Sequence, residues 1–194
     1  MLIQCQEGDS VCYNRDMDKP ARDILISHAQ IEAKIKEIAR QIAGKYRGKN
    51  LLILAVLNGS ILLASDLLRA LWQEGLTDVT LDTVCITSYG RGREAIQKPE
   101  LLKDVRLDIA ERHVLVVEDI IDTGETLAFL LGLLQKRHPA SLKMFTLLSK
   151  PSRRKTQIEA EYTGFVIDDL WVEGYGLDTD GKYRGNPNIC FRKS

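Results

Sequence analysis

Seven consecutive apolar residues, Leu51 to Leu57, stop abruptly at Asn58-Gly59-Ser60 and give way to Leu63, Leu67, Leu68 and Leu71 at helical spacing. A strand without polar alternation is covered on both faces, which is the pattern of a parallel sheet inside an α/β protein. The unit recurs at Val114 to Val117, a short apolar run leading through a polar turn to a helix over Gly124 to Arg137 with Leu127, Leu130, Leu131 and Leu134. Pro139 parts that helix from a further strand, Leu142 to Leu148. Strand and helix alternate along most of the chain with no repeat and no Pro/Gly/Ser linker, so residues 1–194 read as a single α/β domain with a mainly parallel central sheet flanked by helices.

The flanking segments carry weaker signals. Ile24 to Ile26 reads as a short strand, and Ser27 with Gln30 forms a capping box for a helix bearing Ile31, Ile35, Ile38 and Ile42, with Gly44 as its stop. Val79 to Ser88 is rich in β-branched residues and reads as a strand. The polar stretch Tyr89 to Glu100, with Gly90-Arg91-Gly92-Arg93, reads as a surface loop able to fold over a polyanion. Beyond Lys150 periodicity fades. Phe165 to Ile167 and Trp171-Val172 suggest short strands, Asp178 to Asn188 is Gly-rich and loop-like, and the sheet core is expected to give way to an accessory segment.

Composition narrows the functional classes. A chain of 194 residues with 44% hydrophobic and 28% charged residues is of ordinary globular composition. Lys plus Arg and Asp plus Glu both number 27, so no basic excess marks a general nucleic-acid binder. Met1 to Ser10 contains Glu7 and Asp9 and lacks a secretory pattern, and no apolar run approaches the ~20 residues of a membrane span. Cys5, Cys12, Cys85 and Cys190 are scattered, with no metal-ligand spacing, and His28, His113 and His138 stand outside any motif. These features predict a cytoplasmic protein with free thiols, bound to neither nucleic acid nor membrane.

The chemistry concentrates where the Val114 to Val117 strand ends, at Glu118-Asp119-Ile120-Ile121-Asp122-Thr123-Gly124-Glu125-Thr126. In an open α/β sheet ligands bind at the carboxyl ends of the strands. Thr123, Gly124 and Thr126 put hydroxyls and unpaired N–H groups at a helix N-terminus, which suits a phosphate monoester. Glu118 and Asp119 offer oxygen acceptors for sugar hydroxyls or a hard cation, which leaves Asp122 as a positioned base. Asp-Thr-Gly by itself also makes a plain N-cap. Two adjacent carboxylates, a third three residues on and a phosphate-shaped turn behind a buried strand favour a ligand site.

This stretch resembles the signature of the type I phosphoribosyltransferases that binds 5-phosphoribosyl 1-diphosphate, and its wording is nearest the hypoxanthine-guanine branch. The resemblance covers most of the chain. Leu57-Asn58-Gly59 and Ser60 resemble the pyrophosphate-binding loop, Ser88-Tyr89 the start of a catalytic lid, Lys150 a purine-recognising lysine, and Trp171-Val172 the pair that stacks on and frames the base. Asp178 and Arg184 match late metal and pyrophosphate contacts. Residue types alone leave other readings open: a surface lysine within the run Lys150, Arg153, Arg154, Lys155, a packed tryptophan, and a plain turn at Asp178 and Asp180.

What the resemblance implies is a pentosyltransferase of purine salvage, with a small hood formed by both chain ends. The 5-phosphoribosyl group passes to hypoxanthine and/or guanine, giving IMP or GMP and pyrophosphate. The ribose and 5′-phosphate would lie on Glu118 to Thr126, and the pyrophosphate on Leu57, Asn58, Gly59, Ser88, Tyr89 and Arg184. The base would meet Lys150, Trp171, Val172 and Asp178, with Mg2+ managed by Glu118, Asp119 and Asp178. Asp122 would take the N7 proton as N9 attacks. Lys150, a pure donor, would select a 6-oxopurine over adenine, whose 6-amino group also donates. Family members are commonly homodimers or homotetramers, and they often make a non-proline cis peptide in the pyrophosphate loop, which would fall at Leu57-Asn58. Two positions depart: Asn58 and Glu125 stand where some members carry Lys, and Glu125 requires an outward side chain. The rivals are a xanthine-preferring enzyme and a non-catalytic RNA-binding regulator on the same fold, the latter poorly served by balanced charge. A P-loop hydrolase is excluded by the lack of its glycine-lysine motif.

Overall fold

A computed structural model describes residues 22–87 and 99–192. The elements are β1 (Arg22–Ile26), α1 (His28–Tyr46), β2 (Leu51–Leu57), α2 (Ile61–Gln73), β3 (Val79–Thr87) and β4 (Glu100–Lys103). They continue with β5 (His113–Ile121), α3 (Glu125–Gln135), β6 (Ser141–Ser149), β7 (Tyr162–Val166), β8 (Val172–Glu173) and β9 (Ile189–Arg192). Six strands form one sheet in the order β4-β3-β2-β5-β6-β7, with β3, β2, β5, β6 and β7 parallel and β4 antiparallel at the edge.

The unbroken apolar strands owe their composition to two cores. On β2, Leu51, Ile53 and Ala55 join the core under α1 and α2, while Leu52, Leu54 and Val56 join the one under α3. Strand β5 divides likewise, with Leu115 and Val117 on one side and Val114 and Val116 on the other. From β2 the chain crosses to β3 on one flank and later returns to β5 on the other. The carboxyl ends of β2 and β5 therefore flank a topological switch point, the crevice where such sheets hold ligands.

A second sheet, β1-β9-β8, is antiparallel and joins the two ends of the described chain. The capping box at Ser27 and Gln30 is present, and Ile31, Ile35, Ile38 and Ile42 are buried.

Four expectations are corrected. Helix α1 runs through Gly44 to Tyr46, and the left-handed glycine that follows it is Gly48, φ 71°. Strand β5 does not stop at Val117 but carries Glu118 to Ile121, held by pairing with Thr146, Leu148 and Ser149 of β6. The main sheet continues past Lys150 into β7, and Glu100 opens strand β4 rather than closing a loop. Ser88, Tyr89, Arg91 and Arg93 lie outside the described residues, as do Cys5 and Cys12.

Candidate active site

The loop after β2 is shaped by close packing. The Leu57–Asn58 peptide is cis, and Ser60 is buried with its hydroxyl donating to the Val56 carbonyl at 2.7 Å. A Cβ on Gly59 would fall inside the Asp119 carboxylate, and one on Gly176 would fall on the Gly59 carbonyl. Only glycine permits three segments, the β2 loop, β5 and the 174–184 turns, to meet there.

Asp119, on β5, is buried, and its Oδ1 accepts the Ile120 N–H at 2.8 Å. Burial is the main reason its carboxyl is pushed up to about 6, against the opposing pull of that N–H and of the nearby Arg184 cation. Glu118 is raised well above the ordinary range, first by burial and then by the Asp119 charge. Its Oε2 is buried with no hydrogen-bond partner among the described residues. An isolated buried carboxylate oxygen is costly and invites a hydroxyl or cation from a ligand.

Arg184 completes this cluster. Its Nη2 lies 2.7 Å from Asp178 Oδ1 and its Nη1 donates to the Gly176 carbonyl at 2.6 Å, while Asp178 Oδ2 accepts the Gly181 N–H. Val172 is buried on β8, and the indole N–H of the exposed Trp171 donates to Thr179 Oγ1 at 2.8 Å. Trp171 is thus not core packing.

The turn after β5 holds Asp122, Thr123 and Gly124, with Gly124 in the left-handed region at φ 83° as the N-cap of α3. No side chain caps this helix. Such a helix start suits an anion; among the described residues its side-chain contact is a long 3.4 Å bond from the Glu125 N–H to Thr123 Oγ1. Glu125 is exposed and faces Lys155 at 3.5 Å, so its side chain points away from the turn as required.

The segment after β6 straps that turn. The Lys155 N–H and Thr156 hydroxyl donate to the Thr123 carbonyl, and Arg154 reaches both the Asp122 carbonyl and Ser149 Oγ. Arg153 Nε lies 3.1 Å from Asp122 Oδ1, and Arg153 also faces Asp169. Lys150 is only 6% exposed and lies 3.8 Å from Asp169, so it is no surface lysine.

Sequence reasoning placed Asp119, Gly59, Asp178 and Arg184 in one site, and the structure brings them together. It missed Arg153, Arg154 and Thr156, which stood in a basic run with no periodicity to mark them. It also missed Gly176, although the Gly174-Tyr175-Gly176 spacing signalled a tight backbone approach.

The Phosphoribosyl transferase domain model matches residues 22–180. The hypoxanthine phosphoribosyltransferase of Escherichia coli K12 is 39% identical over 169 residues, covering 86% of this chain and 93% of that protein. The bifunctional TilS/HprT protein of Listeria monocytogenes is 38% identical over 180 residues, but this chain, of which 93% is matched, spans only 27% of its length. Among solved structures, a hypoxanthine-guanine phosphoribosyltransferase of Bacillus anthracis superposes with a TM-score of 0.80 at 42% identity, covering 90% of this chain and 99% of that one. With the switch-point crevice, the glycine-packed loop and the uncapped α3 turn in place, this match over most of the chain makes it a member of the phosphoribosyl transferase family.

Proposed function

We propose that this chain transfers the 5-phosphoribosyl group of 5-phosphoribosyl 1-diphosphate to hypoxanthine and/or guanine, releasing pyrophosphate. The observation that carries the reading is the meeting of the β2 loop, the Glu118-Asp119 pair and the uncapped start of α3 at the switch point. The α3 N–H groups, with Thr123 and Thr126, take the 5′-phosphate, and Glu118 and Asp119 take ribose hydroxyls. The backbone of Leu57, Asn58 and Gly59 takes pyrophosphate together with Arg184. With Asn58 in place of a cation, these N–H groups and Arg184 carry the load, joined by Ser88 and Tyr89.

Asp122, steadied by Arg153, accepts the N7 proton as N9 attacks the anomeric carbon. Lys150 donates to the 6-oxo group, Trp171 stacks on the base, and Val172 and Asp178 frame it. Positive charge grows on the ribose as the C–O bond breaks, and the carboxylates below it favour that state over the ground state.

The donor set fits Mg2+. Glu118, Asp119 and Asp178 offer hard oxygen donors, and Glu118 Oε2 is buried with no hydrogen-bond partner among the described residues. Among the described residues these three carboxylates do not form a cluster that could hold a metal by themselves, so the cation would use one or two of them together with substrate phosphates. When bound, Mg2+ would neutralise the diphosphate leaving group. The β1-β9-β8 sheet acts as the hood over the base. We further propose a homodimer or homotetramer in the cytoplasm; no helix among the described residues is long and apolar enough to cross a membrane.

The test is to incubate purified protein with Mg2+, 5-phosphoribosyl 1-diphosphate and, separately, hypoxanthine, guanine, xanthine and adenine. Nucleotide from hypoxanthine or guanine is expected. Product from adenine alone would remove the role of Lys150, preference for xanthine would redirect the substrate assignment, and no nucleotide at all would end the transferase reading.

A further inference from the structure

Trp171 is 59% exposed, so more than half of the indole is free of surrounding protein. Its indole N–H is the first link in a chain of polar groups running into the protein. The indole N–H donates to Thr179 Oγ1 at 2.8 Å, and the Thr179 hydroxyl lies 2.7 Å from Glu173 Oε2. The other oxygen of Glu173 pairs with Arg22 of β1, whose guanidinium lies 4.1 Å from the centroid of the Tyr183 ring.

The direction of this chain is forced. An indole N–H can only donate and a carboxylate can only accept, so the hydroxyl between them must accept from Trp171 and donate to Glu173. Each link polarises the next, most strongly where the groups are shielded from water. Glu173 is only 1% exposed and Thr179 is buried as well. A buried, paired carboxylate is commonly no more stabilising than an apolar residue of similar volume, so the fold alone gives no reason to prefer one there.

We propose that Glu173 and Thr179 are positioning residues which, anchored by Arg22, set the plane of the Trp171 indole for stacking on the purine. The proposal rests on the reading of Trp171 as the base-stacking residue. Stacking depends on the tilt of the ring, and a hydrogen bond at Nε1 fixes the χ2 rotation that sets this tilt. The network also ties the base site to β1, so the order of the first described strand bears on purine affinity.

The test uses Thr179→Val, which keeps the shape and removes the hydroxyl, with Thr179→Ser as the conservative rescue. The chain has two tryptophans, so placing both variants on a Trp72→Phe background leaves Trp171 as the only indole emitter. Trp72 is exposed and lies in the last turn of α2, at the opposite end of that helix from the β2 loop. The expected result for Thr179→Val is lower fluorescence anisotropy of Trp171 in the ligand-free protein. Its KM for hypoxanthine should rise about tenfold, the equivalent of one hydrogen bond. Its kcat and its KM for 5-phosphoribosyl 1-diphosphate should stay within about twofold, since ring tilt affects base binding alone. Thr179→Ser should restore both signals.

Unchanged anisotropy in Thr179→Val would overturn the proposal, and so would a mobile indole with an unchanged hypoxanthine KM. Should Thr179→Val not fold, Glu173→Gln, which weakens the acceptor and keeps the shape, is read against the same two signals. The anisotropy arm needs no substrate. If the unmodified protein makes no nucleotide, the transferase reading fails on that result alone, whereas the network stands or falls on the anisotropy.

Discussion

The carboxyl edge of the main sheet and the β1-β9-β8 sheet, which we propose as a hood, meet at the candidate site through the 174–184 turns but are built by different means. At the sheet edge, residues are placed by repetition: alternate side chains of β2 and β5 fill opposite cores, and the functional groups stand where those strands end. In the hood, placement depends on single contacts and unusual backbone. Within the 174–184 segment, Tyr175, Asp180 and Tyr183 join Gly174, Gly176 and Gly181 at positive φ. A non-glycine residue there costs about 1–2 kcal/mol, offset by contacts such as the Tyr175 hydroxyl to Asp66 at 2.6 Å and Arg184 to the Gly176 carbonyl. The sheet edge is robust because many equivalent contacts share the load. The second sheet and its turns are precise but depend on individual polar groups, which suits the base-selecting role we propose for them.

The largest expected effect falls on the sheet edge. Asp122→Asn should lower kcat by roughly 10²–10⁴-fold, as loss of a general base does, while the affinity for 5-phosphoribosyl 1-diphosphate by calorimetry changes little. Unchanged turnover would remove Asp122 as the base. Next is Gly59→Ala, where the two regions touch through Asp119 and Gly176. The added methyl should cost about 2–3 kcal/mol in chemical denaturation and weaken diphosphate-sugar binding, because the neighbours are a carboxylate and backbone. Full stability in this variant would show that the regions are not locked together there.

A smaller effect, opposite in sign, is expected for Asp119→Asn. The folded-state carboxyl of Asp119 titrates near 6 and the unfolded one near 4, so between those values the folded chain holds a proton that the unfolded chain has released. Stability therefore falls as pH rises through that window and stays lower above it. Without ligand, Asp119→Asn should be more stable than the unmodified protein by about 2 kcal/mol at pH 7.5, the gap closing below pH 4. Melting curves across pH would check this; a destabilised variant at pH 7.5 would mean that the buried carboxylate is already well compensated. The smallest effect belongs to the hood. Tyr175→Phe should cost about 1 kcal/mol through loss of the bond to Asp66, and should raise the purine KM more than it lowers kcat. The reverse pattern would assign this segment to the chemical step.

Much of the sheet edge was legible in the sequence because periodicity is a collective signal. The run Leu51 to Leu57, the helices α1 to α3 and the Glu118 to Thr126 motif all follow from spacing and residue type. The strap and the hood were only partly legible. Whether Arg153 meets Asp122 or solvent depends on how the segment after β6 folds back, and nothing in the run Lys150 to Lys155 encodes that by period. Lys150 is the sharpest case: residue type alone leaves a surface position open, whereas the site buries it beside Asp169. Trp171 shows the converse, an aromatic residue at a strand end that packing rules place inside and the structure leaves exposed.

The central claim is that the groups gathered at the β2–β5 switch point transfer a phosphoribosyl group to a 6-oxopurine. Its most direct test is a chromatographic measurement of the products formed from hypoxanthine, 5-phosphoribosyl 1-diphosphate and Mg2+, by the unmodified protein and by Asp122→Asn. The prediction is that IMP and pyrophosphate accumulate in equal amounts with the unmodified protein and are nearly lost in the variant. Consumption of the diphosphate sugar without IMP, or equal rates from both proteins, would contradict it.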